Sequence, residues 1–431
     1  MTANTLRILQ IGDLHYGSNA SFLDKKDTAF PPELTSMINV SPLEDSLRSI
    51  ISTAQKLDCD AIVATGDLGD KGRKELYRQG VHFLLDALTG NPALKDKIIV
   101  LPGNHDIDRD DALIGIQQKF AHIEEALREV GLDSVKVDEP TIKHIYKANS
   151  GALLFALNSC IGCGERRFLP ERIGGQIQAL ISDLIVPSNA PAPSGDQFPD
   201  MLTQYYEQLD TPAFDAGAID LLFAKATSTT LQDASVFVIA THHNLLPQAQ
   251  PRIAPYSELV NGGQFRSHLL QLDRPVIYLH GHIHSEVVEV IHQPSNARSL
   301  VISISAPLVS LGYNIIEILF TDEGAAFGCR ILRYRLSDGG KVVELPGPLK
   351  IPFYRTIEQA MNPLNSQIMS YVFSHQGRVY WPDLLSHLRE QDIDIREEAV
   401  SDAIRELSWN RYLVLRNEDR PFKHWRIEGT I

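Results

Sequence analysis

Apolar positions along the first third of the chain switch repeatedly between short continuous runs and stripes spaced three and four apart. "TLRILQIGDLH" begins as a buried strand. Residues 43 to 57, "LEDSLRSIISTAQKL", then place Leu43, Leu47, Ile50, Ile51, Ala54 and Leu57 on one helical face. Ser41, Pro42 and Glu44 supply an N-cap, a first-turn proline and the far end of a capping box. "CDAIVATGD" and "DKIIVLPGN" predict the second and third strands, with a helix over 73–88 between them. A further stripe of Leu113, Ile116, Phe120, Ile123, Leu127 and Val130 stops at Gly131. More strands are expected at "ALLFALNS", "SVFVIATHH", "PVIYLHGH" and "LVISISA". Strands alternating with amphipathic helices predict an α/β layered fold.

Two stretches interrupt this rhythm. The segment 165–232, which includes "VPSNAPAPSGDQFPD", is rich in proline and small polar residues and reads as an exposed insertion or a lid. Near "SDGGKVVELPGPLKIPF" glycine and proline rise again. A linker is expected around 336–360, with its main part at 341–360 separating a large domain, 1–340, from a small one, 361–431. The small domain reads as three helices, "NSQIMSYVFSHQG", "YWPDLLSHLREQ" and "REEAVSDAIRELSWN", followed by the paired strands "RYLVLRN" and "KHWRIEG". On pattern alone this α+β unit resembles a winged-helix domain, which serves either DNA binding or protein contact.

Composition narrows the choices. The chain of 431 residues is 43% hydrophobic and 22% charged, an ordinary globular balance. Its formal charge of −14 opposes a general polyanion-binding surface. Residues 361–431 carry 9 Lys or Arg against 11 Asp or Glu, and the third helix there opens Arg396 but continues Glu397, Glu398 and Asp402. The strand region is more basic, with Arg411, Arg416, Arg420, Lys423 and Arg426, yet the balance favours protein contact or dimerisation over DNA. No basic start followed by a long apolar run is present, nor a stretch of about 18 apolar residues, so neither secretion nor a membrane partner is expected. Four cysteines are too few for a disulfide framework and point to a cytoplasmic location. Cys160 and Cys163 form a C-x-x-C. A structural zinc site would need two more ligands, and Cys59 and Cys329 show no such pairing, so this pair reads as a loop feature.

The chemistry gathers at the strand ends. "GDLHYG" places Asp13 and His15 two apart, as two ligands leaving one extended strand must be to point the same way. "GDLGD" carries Asp67 and Asp70, "GNHD" carries Asn104, His105 and Asp106, "ATHHN" carries His242 and His243, and "HGHIH" carries His280, His282 and His284. Each cluster alone is commonplace. All of them follow apolar strands, and sites in α/β sheets form where the carboxyl ends of strands meet.

These five blocks, D-x-H, G-D-x-x-D, G-N-H-D, a single His and G-H-x-H, resemble the calcineurin-like metallophosphoesterases over roughly residues 6 to 320. The resemblance implies a sandwich of two β-sheets flanked by helices. It implies that Asp13, His15 and His284 hold one divalent cation, that Asn104, His242 and His282 hold another, and that Asp67 bridges both. A carboxylate has two oxygens to share, whereas an imidazole or amide serves one cation. Mixed nitrogen and oxygen ligands suit manganese, iron, zinc, nickel or cobalt, with manganese favoured. A hydroxide bridging the two metals would then attack phosphorus. His105 is implied as the catalytic histidine, Asp70 as its orienting partner, and Asp106 as loop support. His280 reads as a packed or second-layer histidine. His243 and Arg109 are candidates for substrate contact, as are Arg166 and Arg167. The family often has proline where Asn244 stands here.

Gly72 and Tyr77, within "GDLGDKGRKELY", resemble the class III cyclic-nucleotide phosphodiesterases. The expected activity is therefore hydrolysis of nucleotide or related small phosphodiesters. The alternatives are a nuclease steered by the last domain and a non-catalytic interaction scaffold. The scaffold is disfavoured because every implied ligand is present.

Overall fold

A computed structural model describes residues 5–17, 41–70, 72–86, 96–147, 150–164, 211–247, 259–284, 287–293, 296–321, 324–336, 342–353, 362–392 and 394–430. Within these, the side chains of 41–46, 54, 109–110, 113, 147, 150 and 296–298 lie outside the description. Most of the stretch expected as an insertion, 165–210, also falls outside it, Arg166 and Arg167 included.

The amino-terminal elements are β1 (Thr5–Ile11), α1 (Ser41–Leu57), β2 (Ala61–Ala64), α2 (Lys74–Asp86) and β3 (Ile98–Val100). The three strands are parallel and adjacent, in the order β1-β2-β3. Helices α3 (Arg109–Ile114) and α4 (Ile116–Glu129) follow, divided at Gly115 where one helix was expected. The stop at its far end is as expected, with Gly131 at φ +69 donating back to the carbonyl of Arg128. The second half runs β4 (Thr141–Lys147), β5 (Ser150–Ala156), α5 (Ala216–Ser228), β6 (Val236–Ala240), α6 (Gly262–Leu269), β7 (Pro275–His280), β8 (Val288–Gln293) and β9 (Asn296–Ser305). Here β5, β6, β7 and β9 are parallel, with β4 and β8 antiparallel at the edges. Then β10 (Gly312–Phe320), β11 (Ala326–Leu336), β12 (Val342–Glu344) and β13 (Leu349–Pro352) return to the first sheet, where β10 lies antiparallel to β1.

Alternation along each strand explains why the two sheets stack. Leu6 and Ile8 of β1, Ala61 and Val63 of β2, Leu154 of β5, Val238 of β6 and Ile277 of β7 form one buried cluster between the sheets. The opposite side chains of the first sheet, Leu9, Ile11, Ile62 and Ala64, pack on Leu47 and Ile50 of α1, Leu84 of α2 and Phe120 of α4. Those of the second sheet, Leu153, Phe155, Phe237 and Ile239, pack on Leu222 of α5 and Phe265 of α6. Each such aliphatic or aromatic side chain contributes about 1.5–3 kcal/mol by leaving water. The result is a helix/sheet/sheet/helix sandwich, the arrangement that the family resemblance implied and one compatible with the strand and helix order.

Strands with both faces buried have no place for polar side chains except past their ends. Two polar groups that do enter the sandwich, Gln10 and Asn314, bond one another. The Gln10 amide donates to the carbonyls of His280 and Ile304 at 3.0 and 2.9 Å and accepts from Asn314 at 3.1 Å, tying β1 to β7 and β9.

The stretch expected to be a linker is partly built into the first sheet. β12 and β13 both pair with β11, so its glycines and prolines mark turns between short edge strands rather than a free connection. Beyond it lie α7 (Pro363–Ser374), β14 (Arg378–Tyr380), α8 (Trp381–Gln391), α9 (Glu397–Trp409), β15 (Leu413–Arg416) and β16 (Arg426–Gly429). They enclose their own core around Ile368, Leu384, Ile404, Trp425 and Ile427. Trp409, at the end of α9, packs instead against Leu319 and Phe327 of the first sheet.

Candidate metal centre

In both sheets the parallel strands point their carboxyl ends at one spot, and the loops there interlock. The backbone N–H groups of Leu14 and His15, after β1, donate to the carbonyl of Asp67, after β2, at 3.0 and 2.8 Å. From the other sheet, the N–H of His282 reaches the Asp13 carboxylate at 3.1 Å. Asp106 accepts from the N–H groups of Gly69 and Gly103 at 2.7 and 2.8 Å, clamping the loops after β2 and β3 together. Gly103 has no alternative in this turn: a Cβ there would stand 2.1 Å from the Asp67 Oδ1.

These loops bring Asp13, His15, Asp67, Asp70, Asn104, His105, His242, His282 and His284 together. The Asn104 Oδ1 lies 2.9 Å from His242 Nε2 and 3.1 Å from His282 Nδ1. Across the site His15 Nε2 lies 3.1 Å from His284 Nε2, and His284 Nε2 lies 3.4 Å from Asp13 Oδ2. Asp67 stands between the two groups, its Oδ2 being 3.4 Å from His242 Nε2 and 3.8 Å from His15 Nε2.

Electrostatics fit a cation pair. Asp67 Oδ1 accepts from the N–H of His105 at 2.8 Å, but Oδ2 is buried without a hydrogen-bond partner among the described residues. His242 Nδ1 donates to the Thr65 carbonyl at 2.7 Å, which leaves its Nε2 lone pair facing the oxygens of Asn104 and Asp67. Electron pairs converging in this way call for positive charge. Burial works against a charged imidazole at His242, yet the Asp67 and Asp13 carboxylates override it and push the group up to about 10, so that without a metal a proton takes the cation's place on Nε2. Burial lifts Asp13 to about 6 despite His242 beside it. Burial and the neighbouring His15 push His284 down to about 4.

Backbone strain concentrates here too. Among the described residues eight non-glycine positions have positive φ, and four of them are His15, Asp67, His282 and His284. Such conformations cost about 1–3 kcal/mol each, which marks the loops as shaped for a task other than stability.

His105 is aimed by its neighbour. Its Nδ1 lies 3.2 Å from Asp70 Oδ1, and its side chain is 40% exposed, so Nε2 faces the opening. Burial would raise the Asp70 carboxyl, but the bonds from His105 and His15 hold it well below the usual range.

The remaining candidates are placed differently. His280 is buried, with Nδ1 against the Gly281 carbonyl. His243 is fully buried, and its nitrogens face Ser159 and Cys163 rather than solvent. Arg109 opens α3, and its side chain lies outside the described residues. Asn244 bonds the carbonyl of Leu246 within its own loop. Thr65 and Ser159 had no signal in the sequence, since one acts through a main-chain carbonyl and the other sits in an unremarkable "NSC".

Residues 6–286 match the family model for calcineurin-like phosphoesterases. The chain belongs to that family. As a calcineurin-like phosphoesterase it is a metal-dependent hydrolase of a family that uses dinuclear divalent metal sites. Similar solved structures include a dimetal phosphatase from Danio rerio, 14% identical, with 81% of this chain and 99% of that one covered and a TM-score of 0.43. The phosphopantetheinyl hydrolase of Mycobacterium tuberculosis is 16% identical, with 72% and 92% covered and a TM-score of 0.36. The NAD nucleotidase of Haemophilus influenzae is 12% identical, with 80% and 60% covered and a TM-score of 0.38. No curated protein matches the chain.

Proposed function

We propose that the protein is a dinuclear phosphodiesterase acting on nucleotides or related small diesters. The observation that carries this reading is the unpartnered Asp67 Oδ2, set between the Nε2 atoms of His15 and His242. Asp13, His15 and His284 would hold one cation, Asn104, His242 and His282 the other, and Asp67 both. Manganese suits this nitrogen and oxygen donor set, with iron, zinc, nickel and cobalt as the other candidates. When bound, two divalent cations neutralise the phosphoryl oxygens and acidify the attacking water.

The chain's own residues do the rest. His105, fixed through Nδ1 by Asp70, presents Nε2 to the leaving oxygen and delivers its proton there. The exposed edges of His105 and His284, 40% and 39%, mark the side from which a phosphoester enters.

Gly72 and Tyr77 act as supports rather than substrate contacts. The Gly72 N–H donates to the His105 carbonyl at 2.7 Å, and Tyr77 is fully buried beneath Gly69. The carboxy-terminal unit, read as winged-helix-like, suits protein contact or dimerisation better than nucleic acid. Its strand arginines Arg378, Arg416 and Arg426 all converge on the one carboxylate of Glu428.

The test offers purified protein with manganese a chromogenic phosphodiester, cyclic nucleotides, a phosphomonoester, and single- and double-stranded DNA and RNA. Turnover of the small diesters, lost in His105→Ala and Asp67→Ala, is expected. Cleavage of long strands alone would replace the proposal with a nuclease, and silence throughout with metal bound would replace it with a scaffold.

A further inference from the structure

Behind the metal centre, the C-x-x-C loop finds a partner 80 residues downstream. Cys160, Cys163 and His243 are each fully buried, and a ligand atom from each lies within 4.8 Å of the others. His243 Nε2 faces Cys163 Sγ at 4.0 Å. Its Nδ1 lies 2.9 Å from Ser159 Oγ, and with Nδ1 donating to that oxygen Nε2 presents its lone pair to the sulfurs.

The loop is held in shape. The buried Lys119 side chain donates to the carbonyls of Ile161 and Cys163. Thr211 Oγ1 donates to the Gly162 carbonyl at 2.8 Å, and a Cβ on Gly162 would stand 1.8 Å from the Thr211 carbonyl oxygen. The N–H of Cys163 closes the turn on the carbonyl of Cys160 at 3.1 Å. Two sulfurs and an imidazole nitrogen, converging in a dry and braced pocket, form a different donor set from the nitrogen and oxygen ligands in front of it.

We propose that Cys160, Cys163 and His243 form a separate cation site for a thiophilic ion of the zinc or cuprous class. Thiolates select these ions over the harder ones that suit carboxylate and amide oxygens. Binding forms two metal–sulfur bonds and one metal–nitrogen bond and releases two thiol protons to solvent, and no electron is transferred. One of those protons is the one Cys160 now donates to the Pro102 carbonyl at 3.3 Å. The site lies directly against the front one, since the His243 ring is 4.6 Å from that of His282.

Cobalt separates the two. Full-length reduced protein loaded with Co(II) is expected to show a thiolate-to-cobalt charge-transfer band, absent from purely nitrogen and oxygen sites. Cys163→Ser is expected to lose the band and one cobalt per chain. Asp67→Asn is expected to keep the band while losing cobalt elsewhere, so failure of the dinuclear reading leaves this one intact. Should Cys163→Ser not fold, X-ray absorption on the zinc-loaded and cuprous-loaded wild-type protein decides, with sulfur expected at about 2.3 Å from zinc. Nitrogen and oxygen scatterers alone with both ions, a band that survives both Cys160→Ser and Cys163→Ser, or a Cys160–Cys163 disulfide in the reduced preparation each overturns the proposal.

Discussion

His15 Nε2 and His284 Nε2 face one another across 3.1 Å, from loops that belong to different sheets. Two imidazoles this close share either a proton or a cation, and the Asp13 oxygen 3.4 Å from His284 favours the cation. His284→Ala is expected to bind one metal per chain fewer than the parent, and to lose activity by about a hundredfold or more. Elemental analysis beside a diester assay checks both. Full metal content in the variant would remove His284 from the ligand set.

Among the described residues the Asp70 carboxylate meets His105 and His15, which fits a positioning role. Asp70→Asn is expected to lower kcat by about 10- to 100-fold while KM changes little. Steady-state kinetics on one small diester reads this directly. An equal loss in KM would move Asp70 into substrate binding.

Asp106 satisfies two buried N–H groups with one carboxylate. Asp106→Ala strands both, at a cost of about 2–4 kcal/mol in unfolding free energy, and loosens metal binding as the loops after β2 and β3 part. Urea denaturation of the metal-free protein checks the first effect. An unchanged midpoint would show that the clamp carries no stability.

Glu406 lies on α9, in the carboxy-terminal unit, with its carboxylate 3.0 Å from the Asn365 amide. Burial, partly offset by Asn365 and reinforced by Asp402, raises it to about 7 from its ordinary 4.5. Between those values the native state keeps the proton and the unfolded chain has released it. The unfolded state then binds fewer protons, so stability declines as pH climbs from 4.5 to about 7. Glu406→Gln keeps an oxygen for Asn365 and removes this slope, with an expected gain of about 1–2 kcal/mol near pH 8 and little near pH 5. Thermal melts at the two pH values test it, and a gain of equal size at both would sink the assignment.

Strand ends were the most readable part of the molecule. Asp13, Asp67, Asn104, His242 and His282 each follow a buried apolar run, and a buried strand has nowhere else to put such side chains. The strands that bear no ligands were harder. β10 and β11 carry no polar cluster to draw the eye, β14 has three residues and exists through its pairing with β16, and β12 and β13 hide among glycines and prolines. The Cys160–Cys163 pair was legible, but its histidine was not. His243 stands beside His242 in sequence, and only the turn after β6 sends the two rings to opposite tasks.

The proposed ligands for the front cations come from both halves of the sandwich, three loops of the first sheet and two of the second. Ion binding there would therefore work as a rivet through the molecule, not merely as a loaded tool. Chelators should soften the whole body as well as silence it, and the melting temperature should track free divalent cation concentration in the way it tracks any tightly held ligand.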